Sequence, residues 1–175
     1  MESVAKQIRL IQYPLSLFGT QVGRRVTLIR LDSGDVVIHS TAPFSSDDVA
    51  AIADFGRPSA LLDSTLCHDS FARQGRAMFP DLPYFAPHGF EAVSGVRARS
   101  LSEPPPAWGG ELDVLLLEGM PRVREHVFFH HPSRTLVLAD LLFNFGANAT
   151  GWTRFFFRHL AGIPNPPGVS RLFRL

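Results

Sequence analysis

The segment from Ser64 to Asp69 carries the side chains best suited to chemistry. It follows a short apolar run, so it is expected at a strand-to-helix junction, where loop side chains converge on a site. His68 and Asp69 are adjacent there and can act as metal ligands or as an acid/base pair. The structural alternative is that Asp69 caps the following helix and His68 is an ordinary loop residue. The residue types alone leave both readings open.

A few other residues could take part in chemistry. Asp140 ends an apolar strand, where a carboxylate suits either a metal-bridging role or the capping of nearby backbone N–H groups. His130 and His131 are adjacent at a predicted strand end, so their side chains should point to opposite faces and not share a ligand. Cys67 stands beside His68, but no third group is evident that would orient a thiol nucleophile. The sequence has no Gly-rich phosphate loop, Gly-x-Ser-x-Gly elbow or Cys-x-x-Cys pair.

The composition limits the class of protein. Of 175 residues, 17 are basic and 16 acidic, so the net charge is +1; 45% are hydrophobic and 19% are charged. No apolar run reaches the roughly 18 residues that cross a bilayer, and a disordered chain would be less hydrophobic. A single cysteine excludes a disulfide framework, and no apolar leader follows Lys6 and Arg9, so a cytoplasmic location is expected. Acidic residues are interleaved with the arginines, which argues against nucleic acid as a partner.

The first half of the chain predicts a hairpin followed by a helix. Residues 22–31 (VGRRVTLIRL) are β-branched and partly alternating, and the turn residues DSGD connect them to a returning strand at residues 36–39. This pattern indicates an antiparallel pair. A helix is predicted over residues 47–55, because Ser45 can cap it and Asp48, three residues later, completes a capping box.

Strand–helix–strand order continues from there. Apolar strands at residues 59–63 and 82–86 flank a second helix at residues 69–79, which predicts parallel strands joined by right-handed crossovers. A loop rich in proline and glycine leads to three more predicted strands, at residues 112–117, 125–129 and 135–139. The whole chain, residues 1–175, is expected to form one α/β domain.

These landmarks resemble the metallo-β-lactamase superfamily. Four stretches resemble more closely an uncharacterised bacterial branch of it, a domain of unknown function: PPPAW at 104–108, EGMP at 118–121, FFHHPSRTL at 128–136 and ADLLFN at 139–144. The resemblance covers residues 7–144 and implies an αββα sandwich, two mixed sheets between helices. Domains of this superfamily are usually longer, so a sandwich that is incomplete at its C-terminal end is implied.

The resemblance also implies where the metal ligands would stand. In active members a strand leads into His-x-His-x-Asp-His, whose side chains hold two metal ions and the attacking water. The two leading histidines correspond to Ser64 and Leu66 in this sequence. The Asp-His pair corresponds to His68 and Asp69, as if the two residue types had been exchanged.

The remaining ligand positions are also altered. A histidine in the middle turn corresponds to Met120, the bridging aspartate is kept as Asp140, and the last histidine belongs to a strand that the chain does not reach. Leucine and a methionine thioether are poor ligands for Zn or Fe. A degenerate metal site is therefore expected.

Three functions follow as hypotheses. The first is a non-catalytic member of the fold that needs no metal cofactor and binds a small molecule or a protein partner. The second is a metal-dependent hydrolase, with Zn or Fe held in a rearranged site of His68, Asp69 and Asp140, joined by His88 or His39. The third is a peripheral membrane or assembly protein that uses its basic, phenylalanine-rich tail.

The last 35 residues contain four arginines and no acidic residue. At helical spacing, Trp152, Phe155, Phe156 and Leu160 share one apolar stripe. This stripe packs either on its own sheet alone or also on a second copy of the chain. The second alternative predicts a homodimer through the tail, which Phe156→Asp or Phe173→Asp would dissociate.

Overall fold

The computed structural model describes residues 1–17, 19–143, 151–160, 162–163 and 167–169. Its strands are β1 (Glu2–Ala5), β2 (Ile8–Tyr13), β3 (Ser16–Leu17), β4 (Thr20–Gln21), β5 (Arg24–Arg30), β6 (Asp35–His39), β7 (Arg57–Leu62), β8 (Tyr84–Ala86), β9 (Arg99–Ser100), β10 (Leu112–Leu116), β11 (His126–His130) and β12 (Thr135–Val137). The α-helices are α1 (Ser46–Phe55), α2 (Ala72–Met78), α3 (Phe90–Ser94) and α4 (Gly151–Phe155).

Seven strands form one mixed sheet in the order β1-β2-β5-β6-β7-β8-β9. The pairs from β1 to β6 are antiparallel and those from β6 to β9 are parallel. This arrangement confirms the predicted hairpin and the parallel order of the strands that follow it. Strands β10, β11 and β12 form a separate antiparallel sheet, and β3 pairs with β4. The predicted strands of the second sheet are off by no more than two residues at either end.

The large sheet has an apolar core on each face. On one face its strands pack against helices, through a cluster that includes Val26, Leu28 and Ile38 together with Ile52 and Phe55 of α1. On the other face its strands share a core with the small sheet, a cluster that includes Ile29, Val37, Leu62, Leu112 and Phe128. The fold is therefore mixed α/β, with the large sheet between helices and the small sheet.

The outer face of the small sheet has no helix packed on it among the described residues. Leu115 and Leu136 lie on that face and are 62% and 55% exposed. The outer helix layer of the predicted αββα sandwich therefore stays a prediction. No described helix has the length and apolar character needed to cross a membrane.

The first helix follows its prediction, whereas the second begins three residues later than predicted. Ser45 and Asp48 form the capping box at the start of α1. After β7, however, a 3₁₀ turn spans Leu66–Phe71 before α2 begins. The Thr65 side chain accepts the Cys67 N–H and caps this turn, so the prediction that Asp69 is the cap is wrong. The backbone of His68 departs from helical angles, so the turn is kinked at this residue.

The structure describes half of the apolar stripe predicted for the helical stretch near the C-terminus. Thr153 and Phe157 are buried, and Phe157 packs with Ile163. Trp152 and Phe155 stack on each other but are about half exposed, at 52% and 49%. Whether the stripe packs on its own sheet alone or also on a second copy therefore stays a prediction. The side chains of Phe156 and Leu160, and all of Phe173, lie outside the described residues.

Candidate functional site

The candidate site lies at the carboxyl ends of the parallel strands β6 and β7. His39 ends β6 and is paired in register with Leu62, the last residue of β7. Ser40 and the segment from Asp63 to His68 therefore leave the sheet at the same edge. This edge is where open α/β sheets commonly bind their ligands.

His68 is at the centre of the site and has partners at both ring nitrogens. Its Nδ1 lies 3.1 Å from the Ser40 hydroxyl, and its Nε2 lies 3.3 Å from a carboxylate oxygen of Asp140. The Thr65 hydroxyl donates to the other Asp140 oxygen at 2.8 Å. Burial opposes ionisation of Asp140, but His68 and Thr65 outweigh it, so the pKa of this carboxyl lies below its usual value. A negatively charged Asp140 therefore faces the imidazole.

A second, fully buried carboxylate fixes the backbone at Asp140. The two oxygens of Glu125 accept the backbone N–H groups of Ala139 and Asp140, at 2.8 and 3.1 Å. Burial, together with the negative charge of Asp140, raises the pKa of the Glu125 carboxyl. Glu125 is therefore a positioning residue that holds the chain so that Asp140 meets His68.

The other side of the site is held by Asp63. Its buried carboxylate forms an ion pair with Arg24 at 2.8 Å and accepts the Tyr84 hydroxyl at 2.6 Å. It also accepts both the backbone N–H and the side-chain hydroxyl of Thr41. Because Thr41 follows Ser40, this network fixes the loop that brings Ser40 to His68.

His39 lies beneath the site as a neutral histidine. Its ring packs edge-to-face on Phe128, with ring centres 5.1 Å apart, and its Nε2 atom is buried without a hydrogen-bond partner. Burial, and the nearby charges of His68 and Arg24, lower the pKa of His39 to about 3. His39 is therefore uncharged at neutral pH, and its Nε2 atom is a buried polar atom below the site.

Asp69 and His88 are not joined to the His68–Asp140 pair. Asp69 is half-buried, and no described hydrogen bond or ion pair links it to either residue. Its charge acts instead on the thiol of Cys67: burial of the sulfur, the charge of Asp140 and, more weakly, that of Asp69 raise the thiol pKa. Cys67 is therefore a poor nucleophile at neutral pH. His88 is exposed in the turn after β8 and lines a small surface cavity there.

The adjacent histidines separate as predicted. His130 is buried and its Nδ1 lies 2.7 Å from the Ser133 hydroxyl, whereas His131 is exposed and lies 2.7 Å from an Asp113 oxygen. The two side chains point to opposite faces of the small sheet.

The residues at the expected ligand positions do not fit a two-metal centre. Ser64 is fully buried and its hydroxyl has no described partner, Leu66 is half-buried, and Met120 is buried. Across the part of the chain that the structure describes, no three His, Cys, Asp or Glu side chains are grouped as metal ligands. Leucine has no donor atom, and a thioether is a poor ligand for Zn. His68 and Asp140 are the two ligating side chains that the fold does bring together.

Among the residues that had not been predicted, Ser40, Thr65 and Glu125 touch or position the His68–Asp140 pair, and Asp63 with its partners holds the Ser40 loop. A usable signal existed for Ser40, since the carboxyl ends of neighbouring parallel strands meet at one sheet edge. Glu125 had a signal too, as an acidic residue directly before an apolar strand needs a buried partner. Thr65 had the weaker signal of a side-chain oxygen that could cap the following turn.

Comparison with solved structures identifies the fold. The DIM-1 metallo-β-lactamase matches with a TM-score of 0.64 at 16% sequence identity, over 87% of this chain and 74% of the other. A metallo-β-lactamase from Pontibacter korlensis matches with 0.63 at 12% identity, over 91% and 83%, and IND-7 with 0.62 at 15%, over 88% and 76%. No family model and no curated protein matches the chain. The chain therefore has a metallo-β-lactamase-like fold. Sequence identities this low do not show that the activity is shared.

Proposed function

We propose that this protein is a non-catalytic member of the metallo-β-lactamase fold that lacks a complete metal site and binds a small molecule or a protein partner. The observation that carries the proposal is the engagement of His68 by Ser40 on one ring nitrogen and Asp140 on the other. A metal ion would have to displace one of these contacts. It would also find Leu66 and Met120 where further ligands are needed.

The mouth of the site suggests the chemistry of the ligand. The charges of Asp140 and, more weakly, Asp69 raise the pKa of the exposed Cys67 thiol, so the potential at this residue is negative. His68 and Asp140 keep 16% and 15% of their side-chain surface exposed. A ligand that donates hydrogen bonds suits such a mouth better than an anion does.

A ligand screen by NMR tests this proposal. Fragments that bind should shift the signals of Cys67, His68 and Asp69. The substitution Asp140→Asn should weaken their binding. His131→Ala, which changes an exposed histidine outside the site, is the matched control and should leave binding unchanged. Fragments that bind only elsewhere, or bind equally well to Asp140→Asn, would argue against a binding site here.

The alternative is a metal-dependent hydrolase with a rearranged site around His68, Asp69 and Asp140. The 3.3 Å approach of His68 to Asp140 favours it, whereas the separate position of Asp69 does not. Ester, phosphoester and lactam substrates, tested after incubation with Zn²⁺, Fe²⁺ or Mn²⁺, distinguish the two. Turnover that is lost in both His68→Ala and Asp140→Asn would establish the hydrolase and replace the first proposal.

We also propose that the tail joins two copies of the chain. Trp152 and Phe155 expose about half of their surface side by side, which supports an apolar contact outside the fold. The homodimer is tested below.

A further inference from the structure

Three cationic side chains gather around Phe55 at the sheet edge opposite the candidate site. Lys6 belongs to the turn between β1 and β2, Arg9 to β2, and Arg30 ends β5. The guanidinium carbons of Arg9 and Arg30 lie 5.0 and 4.8 Å from the centre of the Phe55 ring. The ring stabilises both cations but does not neutralise them.

None of these three cations has a carboxylate partner among the described residues. Of the three, Arg30 alone has a described hydrogen bond, from Nη1 to the Phe55 carbonyl at 3.0 Å. The Nε atom of Arg9 is buried with no acceptor. Leaving a charged donor buried and unsatisfied costs more than an ordinary lost hydrogen bond.

The nearby acidic side chains already have other partners. Asp32 accepts the Gln7 amide at 2.7 Å, and Glu111 accepts the Asp32 backbone N–H, also at 2.7 Å. Asp35 is paired with Arg57 at 2.6 Å. Asp32 and Glu111 accept from neutral donors and so keep their charge, but none of the three acids has a described ion pair with Lys6, Arg9 or Arg30.

A cavity of about 300 Å³ is lined by two of the three cations. Lys6 and Arg30 line it, together with Gln7, Asp32, Phe55 and the glycines 34 and 56. We propose that this cavity binds a small molecule through a phosphate group. An arginine guanidinium presents a planar set of donors that matches phosphate oxygens, and an ammonium adds a second charge.

Helix capping accounts for only part of this cluster. Helix α1 has no basic residue in its last turn, and Arg30 caps it by donating to the Phe55 carbonyl. That role leaves the buried Arg9 Nε and the exposed Lys6 unexplained. An oxyanion in the cavity would give Lys6 an electrostatic partner and Arg30 a second one, since both line it, whereas Arg9 does not.

Isothermal titration calorimetry at low salt, with inorganic phosphate and with adenosine monophosphate, tests the site. Both should bind, adenosine should not, and Lys6→Gln or Arg30→Gln should weaken binding about tenfold, the effect of losing one hydrogen bond to a charged group. Lys6 is exposed, so its replacement should leave the fold intact, which circular dichroism checks. The matched control is Arg57→Gln, because the Arg57 guanidinium already forms an ion pair with Asp35. This variant should bind phosphate as the wild type does.

Several results would overturn the proposal. Absence of heat with both phosphates at millimolar concentration would exclude the site. Equal binding by adenosine, or unchanged affinity in Lys6→Gln, would show that the cations do not recognise an oxyanion.

Discussion

Asp63 and Arg24 form an ion pair beneath the candidate site, with side chains 0% and 6% exposed. Removing one partner of such a pair leaves the other charge buried and uncompensated. We therefore expect Asp63→Ala to lower the free energy of unfolding by about 3–5 kcal/mol. Urea denaturation measures this loss.

The matched control is Arg57→Ala, which breaks the pair with Asp35 but removes a side chain that is 76% exposed. Exposed pairs contribute about 0–1 kcal/mol. If the two variants lose similar stability, the network around Asp63 does not hold the site together.

His39 predicts a dependence of stability on pH. Its pKa is lowered from 6.5 to about 3 in the folded chain, chiefly by burial. Between these values the unfolded chain binds a proton that the folded chain does not. This contribution to stability is therefore complete above pH 6.5 and is lost as the pH falls toward 3, at up to about 1.4 kcal/mol per pH unit.

Denaturation of the wild type and of His39→Gln across this pH range isolates the effect, because the variant cannot titrate there. The raised pKa of Glu125 acts in the opposite direction, and it is common to both proteins. The difference between the two curves should grow as the pH falls. Parallel curves would mean that His39 is not the buried neutral histidine described above.

Helix α2 approaches the loop after β6 closely at Gly75. A Cβ added to Gly75 would lie 2.7 Å from the Cβ of Thr41, whose neighbour Ser40 contacts His68. Gly75→Ala should therefore lower stability by about 1–3 kcal/mol, as overpacking does. It should also shift the His68 ring signals in NMR spectra.

Gly151→Ala is the control for this prediction, since a Cβ there meets nothing within 4 Å. Its stability should match or exceed that of the wild type. Unchanged His68 signals in Gly75→Ala would show that α2 does not determine where the Ser40 loop lies.

The elements were predictable where one local signal fixed them. Ser45 and Asp48 predicted the start of α1 correctly, because a capping box is formed by neighbours in sequence. The second helix was predicted in the right place but three residues too early at its start, because a 3₁₀ turn capped by Thr65 precedes it. Short strands such as β9 carry too few residues for a pattern.

The candidate site was predictable in part, for a related reason. His68 and Asp140 were recognised because each follows a predicted apolar strand and can act as a ligand or an acid/base group, and the fold brings them together. Asp69 was grouped with them because it is adjacent in sequence, yet the 3₁₀ turn separates its side chain from the pair. Glu125 acts through two backbone N–H groups, a contact that no spacing in the sequence reveals.

The exposed aromatic pair of α4, Trp152 and Phe155, predicts that two copies of the chain form a dimer. Light scattering at high micromolar concentration should show a dimer for the wild type and a monomer for Phe155→Asp, because a buried aspartate would be uncompensated at the interface. Leu136→Asp changes an equally exposed residue on the small sheet and should remain a dimer. A monomeric wild type, or a dimer dissociated only by Leu136→Asp, would contradict an interface through the tail.

The fold of the chain matches that of the metallo-β-lactamases, whereas the residues at the expected metal site do not. The chain has the metallo-β-lactamase-like fold, whereas Ser64, Leu66 and Met120 stand where the resemblance places ligands. A shared fold leaves the chemistry to the residues that occupy the site. The metal content of the protein therefore tests the proposed function most directly.

Elemental analysis for Zn, Fe and Mn should be made on untagged protein purified from metal-supplemented culture. With His68 engaged by Ser40 and Asp140, we expect well under one equivalent of tightly bound metal per chain, and the same low content in His68→Ala and Asp140→Asn. One or more equivalents in the wild type, lost in both variants, would contradict a metal-independent site and establish His68 and Asp140 as ligands.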